Sequence, residues 1–468
     1  MVVCPSCGAN LKFSPEKQKM CCEFCESEFD PEEFNEQGGA EEQQVMEETL
    51  APEEAMEVTI FTCPQCGGEL MSVDENTAAA FCSFCGASTI LESRIAKEKR
   101  PKYIIPFAIT KEQCKEAYMK MVSGSIYAPK ELKDEKYIDS FRGIYMPYWT
   151  YDISQKGEVT IKGETSSRKG DYIVTKHYDL KGNIDAEYDG ISYDASSSFS
   201  DDISERIAPF DTNKQIDFGN SYMSGYYADI ADVGKTVYEN DARLLAYDMS
   251  LDNIKKEFKE YTVKDTKSGI KARVDKVDYT MFPVWFMSYR NKDRVAYAIV
   301  NGQTGKVVAD MPIDIKKYLI SSGGLAIVIF ILLNIFSIIT PRALVVLGGI
   351  LMGMVYFINM SQRKKINKKD LGIDDKGLKS VKSTLKENSN AEVMEGSEKI
   401  SLILAVVVVG VAALMWLFKP VSDIPYYVCT YFEAIIFAMN FKVTLEKYNK
   451  LVTRKLPQFD RKGGDDRA

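Results

Sequence analysis

The chain has 468 residues, a formal net charge of −8 and one histidine, which leaves room for several domains and excludes a His-rich metal centre. A Ser-His-Asp or Cys-His mechanism would have to rest on His177, which lies between Lys176 and Tyr178 in an alternating, strand-like segment. The chain carries no Walker loop, G-x-S-x-G or H-E-x-x-H, and no G-x-G-x-x-G after a strand, so no enzymatic activity is expected.

Eight of the eleven cysteines form two copies of one device. The first is Cys4-Pro5-Ser6-Cys7-Gly8 followed by Cys22-Glu23-Phe24-Cys25, and the second is Cys63-Pro64-Gln65-Cys66-Gly67 followed by Cys82-Ser83-Phe84-Cys85-Gly86. Spacers of 14 and 15 residues separate the paired turns. Two Cys with two residues between them sit on one tight turn, and a hairpin spacer brings the second turn opposite the first, so four sulfurs reach one tetrahedral ion. Glycine after the second Cys allows the positive φ of that turn. The pattern predicts two zinc ions per chain, held by Cys4, Cys7, Cys22 and Cys25 and by Cys63, Cys66, Cys82 and Cys85. Four thiolates leave no open position for water, so the expected role is structural, and neither ribbon is expected to fold without metal. No signal-peptide pattern precedes Cys4, which argues against the disulfides of a secreted domain. Cys21 falls opposite Phe81 when the copies are aligned and is expected to be a bystander.

Charge is unevenly spread. Residues 20–93 contain 18 Asp and Glu and no Lys or Arg. Nucleic-acid binding draws on Lys and Arg at phosphates, so this stretch opposes it. The linker is expected to be a solvated spacer, with a docking site for a basic partner as the alternative.

Residues 94–315 read as a soluble, Tyr-rich α+β region. Segments 157–164 and 171–179 alternate around a Ser-Ser-Arg-Lys-Gly turn and predict a hairpin, as do 295–300 and 306–310 around Asn301-Gly302-Gln303-Thr304-Gly305. Helical patterns cover 111–121 and 240–261, and 196–202 reads as a flexible loop. Tyr145-Met146-Pro147-Tyr148-Trp149 resembles Met281-Phe282-Pro283-Val284-Trp285, a candidate internal repeat of two α+β units sharing a sheet or packing face to face. Aromatics alternating on a strand are expected to be core, with a ligand groove as the alternative.

Four apolar stretches follow, at 318–339, 343–360, 400–418 and 423–441, broken first at Pro341 and Arg342. They predict transmembrane helices. Lys316 and Lys317 precede the first; Arg363, Lys364, Lys365, Lys368 and Lys369 follow the second; Lys442, Lys447, Lys450, Arg454 and Lys455 follow the fourth. The opposite turns hold only Arg342 and Lys419, which puts both termini in the cytoplasm of a multi-pass plasma-membrane protein. Glu433 in the fourth stretch costs about 2.5–3.5 kcal/mol on insertion scales; it reads as a helix-facing or protonated acid, with proton or ion handling as the alternative. Phe441, Leu445, Tyr448 and Val452 continue at helical spacing and are expected to lie on the anionic leaflet.

The expected fold is therefore multidomain: two N-terminal zinc ribbons, an α+β soluble region with a candidate duplication, and C-terminal all-α transmembrane helices. The expected boundaries are zinc ribbon 1 at 1–30, acidic linker at 31–60, zinc ribbon 2 at 61–93 and soluble domain at 94–315. A transmembrane hairpin follows at 316–362, then a basic cytoplasmic loop at 363–399, transmembrane helices 3 and 4 at 400–441 and a basic cytoplasmic tail at 442–468.

The Cys-Pro-x-Cys-Gly ribbons, the Tyr-Ile-Ile-Pro-Phe segment at 103–107 and the P-x-W strands together resemble a bacterial family, the TFIIB-type zinc-ribbon-containing membrane proteins. That resemblance implies a membrane-associated protein whose relatives are linked with phage-shock-type and SPFH-type membrane-stress proteins, and it implies the same eight cysteines as ligands. A replication-helicase label carried by some relatives finds no helicase motif here.

The expected function is a membrane-anchored adaptor that recruits cytosolic protein partners, in contact with membrane lipid and without nucleic acid. A nucleic-acid-associated regulator using the ribbons is the first alternative. A transporter or membrane enzyme centred on Glu433 is the second.

Overall fold

The first cysteine-rich segment forms a three-stranded antiparallel sheet of β1 (Leu11–Ser14), β2 (Lys19–Cys22) and β3 (Glu28–Phe29). This is seen in the computed structural model, which describes residues 2–37, 55–72, 82–89, 91–336, 340–381 and 396–459. Strand alternation puts Leu11, Phe13 and Met20 on one buried face. That face rests on the soluble domain, where Phe13 N donates to the Ser224 carbonyl at 3.2 Å and the Phe13 ring meets Tyr222 edge-on at 5.2 Å.

The second segment is part of a larger sheet. β4 (Ala55–Thr62) pairs with both β5 (Glu69–Ser72) and β6 (Glu92–Lys99). The remaining strands are β7 (Tyr103–Ile104), β8 (Arg142–Lys169), β9 (Tyr172–Asp194), β10 (Ile216–Asp217), β11 (Tyr227–Ala228), β12 (Thr262–Ser268), β13 (Lys271–Asn291), β14 (Arg294–Asn301), β15 (Val307–Ala309) and β16 (Arg454–Lys455). With β4–β6 they make one 13-stranded sheet whose main order is β10-β7-β13-β8-β11-β5-β4-β6.

Two expected boundaries shift as a result. Residues 31–37 form a short 3-10 helix beside residues 220–223, and β4 starts at Ala55, inside the expected linker. The cause is an apolar alternation, Met56, Val58 and Ile60, all buried against the sheet. The acidic pairs from Glu41 to Glu54 lie outside the described residues.

The two P-x-W segments are neighbours at the centre of the sheet. β8 and β13 run antiparallel with Pro147 opposite Met281 and Pro283 opposite Tyr145, a symmetric register for the two halves of the repeat. The two P-x-W strands thus share one sheet rather than packing face to face. Side chains alternate between two cores, with Tyr145, Trp149, Met281 and Trp285 on one face and Met146, Tyr148, Phe282 and Phe286 on the other. Each indole N–H caps a carbonyl, Trp149 to Val233 at 2.8 Å and Trp285 to Ile109 at 2.9 Å. Both tryptophans are core.

Both predicted hairpins are present. β8 and β9 pair from Tyr148↔Asp194 out to Lys169↔Tyr172, and Gly170 takes φ 62 at their turn. β14 pairs with β15. Helix α1 (Lys111–Ser123) starts at a Thr110–Gln113 capping box and buries Cys114, Tyr118 and Val122 at four-residue spacing. Helix α2 (Glu239–Glu257) buries Ala242, Ala246 and Ser250 in the same way. Residues 196–200 form the expected loop, but it is bonded in place and gives way to a helix at Asp201. Ser196 is buried and donates to Asp229 at 2.5 Å, Ser197 N donates to Asp232 at 2.7 Å, and Asp201–Ile207 is helical. Carboxylates far away in sequence accept from Ser196 and Ser197, beside the local bond from Ser198 N–H to Ser196 Oγ at 3.1 Å.

Among the described residues, four helices are long and apolar enough to cross a membrane: α3 (Ile315–Phe336), α4 (Pro341–Asp370), α5 (Gly396–Phe418) and α6 (Ile424–Val452). Pro341 ends one apolar run and begins the next at N1, behind the Thr340 cap. Helices α4, α5 and α6 pack together through Val345, Ala412 and Tyr426 and through Met352, Ala405 and Val408. In α3 none of the 18 residues Ile315–Leu332 is buried. The start of α3 and the ends of α4 and α6 all meet the soluble domain, through Asp314 N to the Tyr127 carbonyl, Asp370 to Arg294, and Leu456 N to the Asp293 carbonyl.

Candidate metal centres and the membrane junction

Four cysteine turns of one design face each other in two pairs. In each turn the residue after the second Cys donates its N–H back to the first: Gly8 to Cys4 at 2.9 Å, Gly67 to Cys63 at 2.8 Å, Gly86 to Cys82 at 3.0 Å and Glu26 to Cys22 at 3.0 Å. All four of these residues have positive φ, 76°, 71°, 70° and 59° in that order. Glycine meets the requirement without strain at three turns, and Glu26 meets it at some cost.

The turns bring the eight predicted ligands into two clusters, Cys4, Cys7, Cys22 and Cys25 in one and Cys63, Cys66, Cys82 and Cys85 in the other. Facing sulfurs are 3.6 Å apart for Cys4–Cys25, 3.5 Å for Cys7–Cys22, 3.8 Å for Cys63–Cys85 and 3.7 Å for Cys66–Cys82. A disulfide would need about 2.05 Å. A tetrahedron with metal–sulfur bonds of about 2.3 Å has edges of about 3.8 Å. The sulfurs therefore fit one ion per cluster, with all four positions taken by protein. Cys21 stands outside both clusters, its thiol directed at the Lys19 carbonyl at 3.8 Å.

The two centres differ in surroundings. All four sulfur ligands of the second are buried, whereas Cys7 and Cys25 of the first are exposed. At the second centre Phe84 packs edge-on against Phe286 at 6.0 Å and Phe459 at 5.6 Å, and the Tyr297 hydroxyl donates to the Phe84 carbonyl at 2.8 Å. Phe459 N donates to the Cys66 carbonyl at 2.7 Å. The chain leaving α6 therefore runs along β14 as β16 and reaches the second cysteine centre at Phe459. Sequence reading gave that tail no such role, because nothing in Leu456-Pro457-Gln458-Phe459 marks it as a strap.

The junction below it is polar. Arg294, at the start of β14, grips both carboxylate oxygens of Asp370 at 3.0 Å and donates to the carbonyls of Lys450 at 2.6 Å and Thr453 at 3.0 Å. Arg454 lies 3.3 Å from Asp202 and 3.6 Å from Asp310. Within the bundle, Lys447 is buried, paired with Glu398 at 2.9 Å, and Ser401 donates to Asn440 at 2.6 Å. The helix expected to lie on the leaflet continues to Val452, but Lys447 turns inward because α5 supplies a carboxylate for it. Glu433 is 6% exposed, and its two oxygens have no hydrogen-bond partner among the described residues. It lies over Gly348, where any side chain would collide with the carboxylate.

His177 is exposed on β9 with its Nδ1 3.0 Å from Glu164. Burial pushes the Cys114 thiol up.

No family model matches the chain, and no solved structure does. A Bacillus subtilis (strain 168) protein described as "Uncharacterized protein YdjG" is 27% identical over 348 residues, 71% of this chain and 96% of the relative.

Proposed function

We propose that this protein is a zinc-ribbon adaptor anchored in the bacterial plasma membrane, which holds cytosolic protein partners there, in the manner of membrane-stress assemblies. The observation that carries the reading is the joint placement of the two closed thiolate centres on a soluble domain fastened to the ends of three of the four apolar helices. Zinc suits four thiolates in a tetrahedron, and a closed site contributes folding free energy rather than a reactive water. The resemblance to TFIIB-type zinc-ribbon membrane proteins points the same way.

Both termini are assigned to the cytoplasm. Lys and Arg gather at the helix ends that meet the soluble domain, and a reducing compartment suits the thiolates. Reporter fusions at Met1 and Ala468 should both score as cytoplasmic. An external C-terminus would leave Ile424–Val452 outside the set of spanning helices.

The regulator reading is disfavoured by charge. Glu23 and Glu26 flank Phe24 on the exposed turn of the first ribbon. Screening length grows to about 30 Å at 0.01 M salt, so repulsion of phosphates strengthens there. The zinc-loaded full chain in detergent should give no gel shift with DNA or RNA at low salt. Captured from solubilised membranes, it should bring down a protein partner that Cys4→Ser with Cys7→Ser releases. Salt-sensitive nucleic-acid binding lost in the same double variant would replace the adaptor with the regulator. A transport reading would need a polar cavity at Glu433; the cavities of about 540 Å³, lined by α4, α5 and Tyr426 of α6, and 390 Å³, lined by α4 and α5, do not include that residue.

A further inference from the structure

The two ribbons are copies, and among the described residues only one of them has its outer turn covered. At the second ribbon the cover is a stretch of extended chain. Phe459 donates its N–H to the Cys66 carbonyl at 2.7 Å, its ring meets Phe84, and its backbone carbonyl fills the space over Gly67, where any side chain would collide. The equivalent positions of the first ribbon are Cys7, Gly8 and Phe24. There the Cys7 carbonyl accepts no hydrogen bond among the described residues, nothing lies within 4 Å of a side chain placed on Gly8, and Phe24 is 84% exposed where Phe84 is 0%. The opposite, strand face of the first ribbon is already held by Tyr222 and Ser224, so this turn is the part left over.

Resting on the adaptor reading, we propose that Cys7, Gly8 and Phe24 form a docking groove for an extended segment of a partner protein that carries an aromatic residue beside basic ones. The aromatic requirement comes from the occupied copy. An edge-on ring pair adds to the area that Phe24 would bury, and a single N–H to the Cys7 carbonyl fixes the strand's position. The basic requirement comes from charge. Residues 20–37 carry Glu23, Glu26, Glu28, Asp30, Glu32, Glu33 and Glu36 and no Lys or Arg, and Glu26 is in no salt bridge among the described residues. The segment that reaches the second ribbon, Arg454-Lys455-Leu456-Pro457-Gln458-Phe459, has an aromatic after basic residues, and in sequence Asp460-Arg461-Lys462 follow it. That tail is engaged at Cys66, and the acidic surface of the first ribbon calls for a basic occupant, which we assign to another protein.

The probe is a fluorescent peptide with the sequence of residues 454–462, titrated by polarisation against the zinc-loaded full chain in detergent. Binding should saturate. Phe24→Ala should weaken it at least tenfold, about 1.4 kcal/mol, with the zinc content unchanged. A peptide with Phe459→Ala should lose as much. Replacing the aromatic in the peptide by benzoylphenylalanine should crosslink it to the first ribbon. Absence of saturation up to about 1 mM, equal binding by Phe24→Ala, or crosslinks confined to the second ribbon would each overturn the groove. Self-association of the chain that Phe24→Ala abolishes would replace the separate partner with a second copy, and also overturn it as stated. If peptide binding ignores Phe24 while loss of the first centre's cysteines still releases the captured partner, the groove fails and the adaptor stands.

Discussion

Cys66→Ser is expected to halve the bound zinc, from two ions per chain to one, and to loosen a whole edge of the central sheet. The second centre joins β4, β5 and the turn 82–85, and β4 carries β6 along its full length from Ala55↔Lys99 to Thr62↔Glu92. A metal there would also order the Cys66 carbonyl that receives Phe459. Structural zinc contributes about 10–16 kcal/mol apparent, which is comparable to the entire stability of a domain at about 5–15 kcal/mol. Loss of one thiolate leaves three buried sulfurs facing each other without an ion to bind them. Hydrogen exchange should rise across 55–72 and 92–99, and trypsin should cut at Lys455 far faster than in the parent. Cys7→Ser should also remove one ion, yet its effect should stay within the first ribbon, because Cys7 is exposed and that ribbon has its own sheet. Cys21→Ser should keep both ions, since its sulfur stands apart. Two ions per chain in purified Cys66→Ser would sink the assignment of the second centre.

What could be read from the chain was what its local pattern encodes. The two four-cysteine clusters were legible because a C-x2-C turn is complete within five residues, and the four apolar helices because such a helix is defined by composition along its own length. The paired hairpins were legible from alternation around glycine-containing turns. The remainder depended on partners far away in sequence. Met56, Val58 and Ile60 showed a strand's alternation, but Glu53, Glu54 and Glu57 around them gave the segment a linker's composition. Whether two P-x-W strands pair with each other is a matter of register between segments more than a hundred residues apart, and alternation alone fits either arrangement. Ser196 and Ser197 looked like a loose loop until Asp229 and Asp232 arrived to bond them. Lys447 counted as one more surface cation in a basic cluster, and only the packing of α5 against α6 shows it buried with Glu398.

Arg294→Ala is expected to part the soluble domain from the helix bundle. Its guanidinium makes two parallel bonds to Asp370, the last residue of α4, and adds bonds to the Lys450 and Thr453 carbonyls and to the Thr453 hydroxyl at 2.9 Å. One side chain therefore fixes β14, the end of α4 and the end of α6 at a single point. A cation at the C-terminal carbonyls of α6 is also favoured by the helix dipole. The Arg294 and Asp370 side chains are 12% and 4% exposed, so removing the arginine strands a carboxylate away from water. Breaking a buried pair from one side costs about 3–5 kcal/mol, chiefly through the charge left behind. The melting temperature in detergent should fall, and protease cleavage should appear around Asp370 and Thr453. Arg294→Lys should recover only part of the loss, because an ammonium cannot make the two parallel bonds. Arg294→Met with Asp370→Leu should recover more than either single change, since no unpaired charge remains. Unaltered melting and protease resistance in Arg294→Ala would mean that the two regions are held together elsewhere, by β16 on β14 and Phe459 on the second cysteine centre.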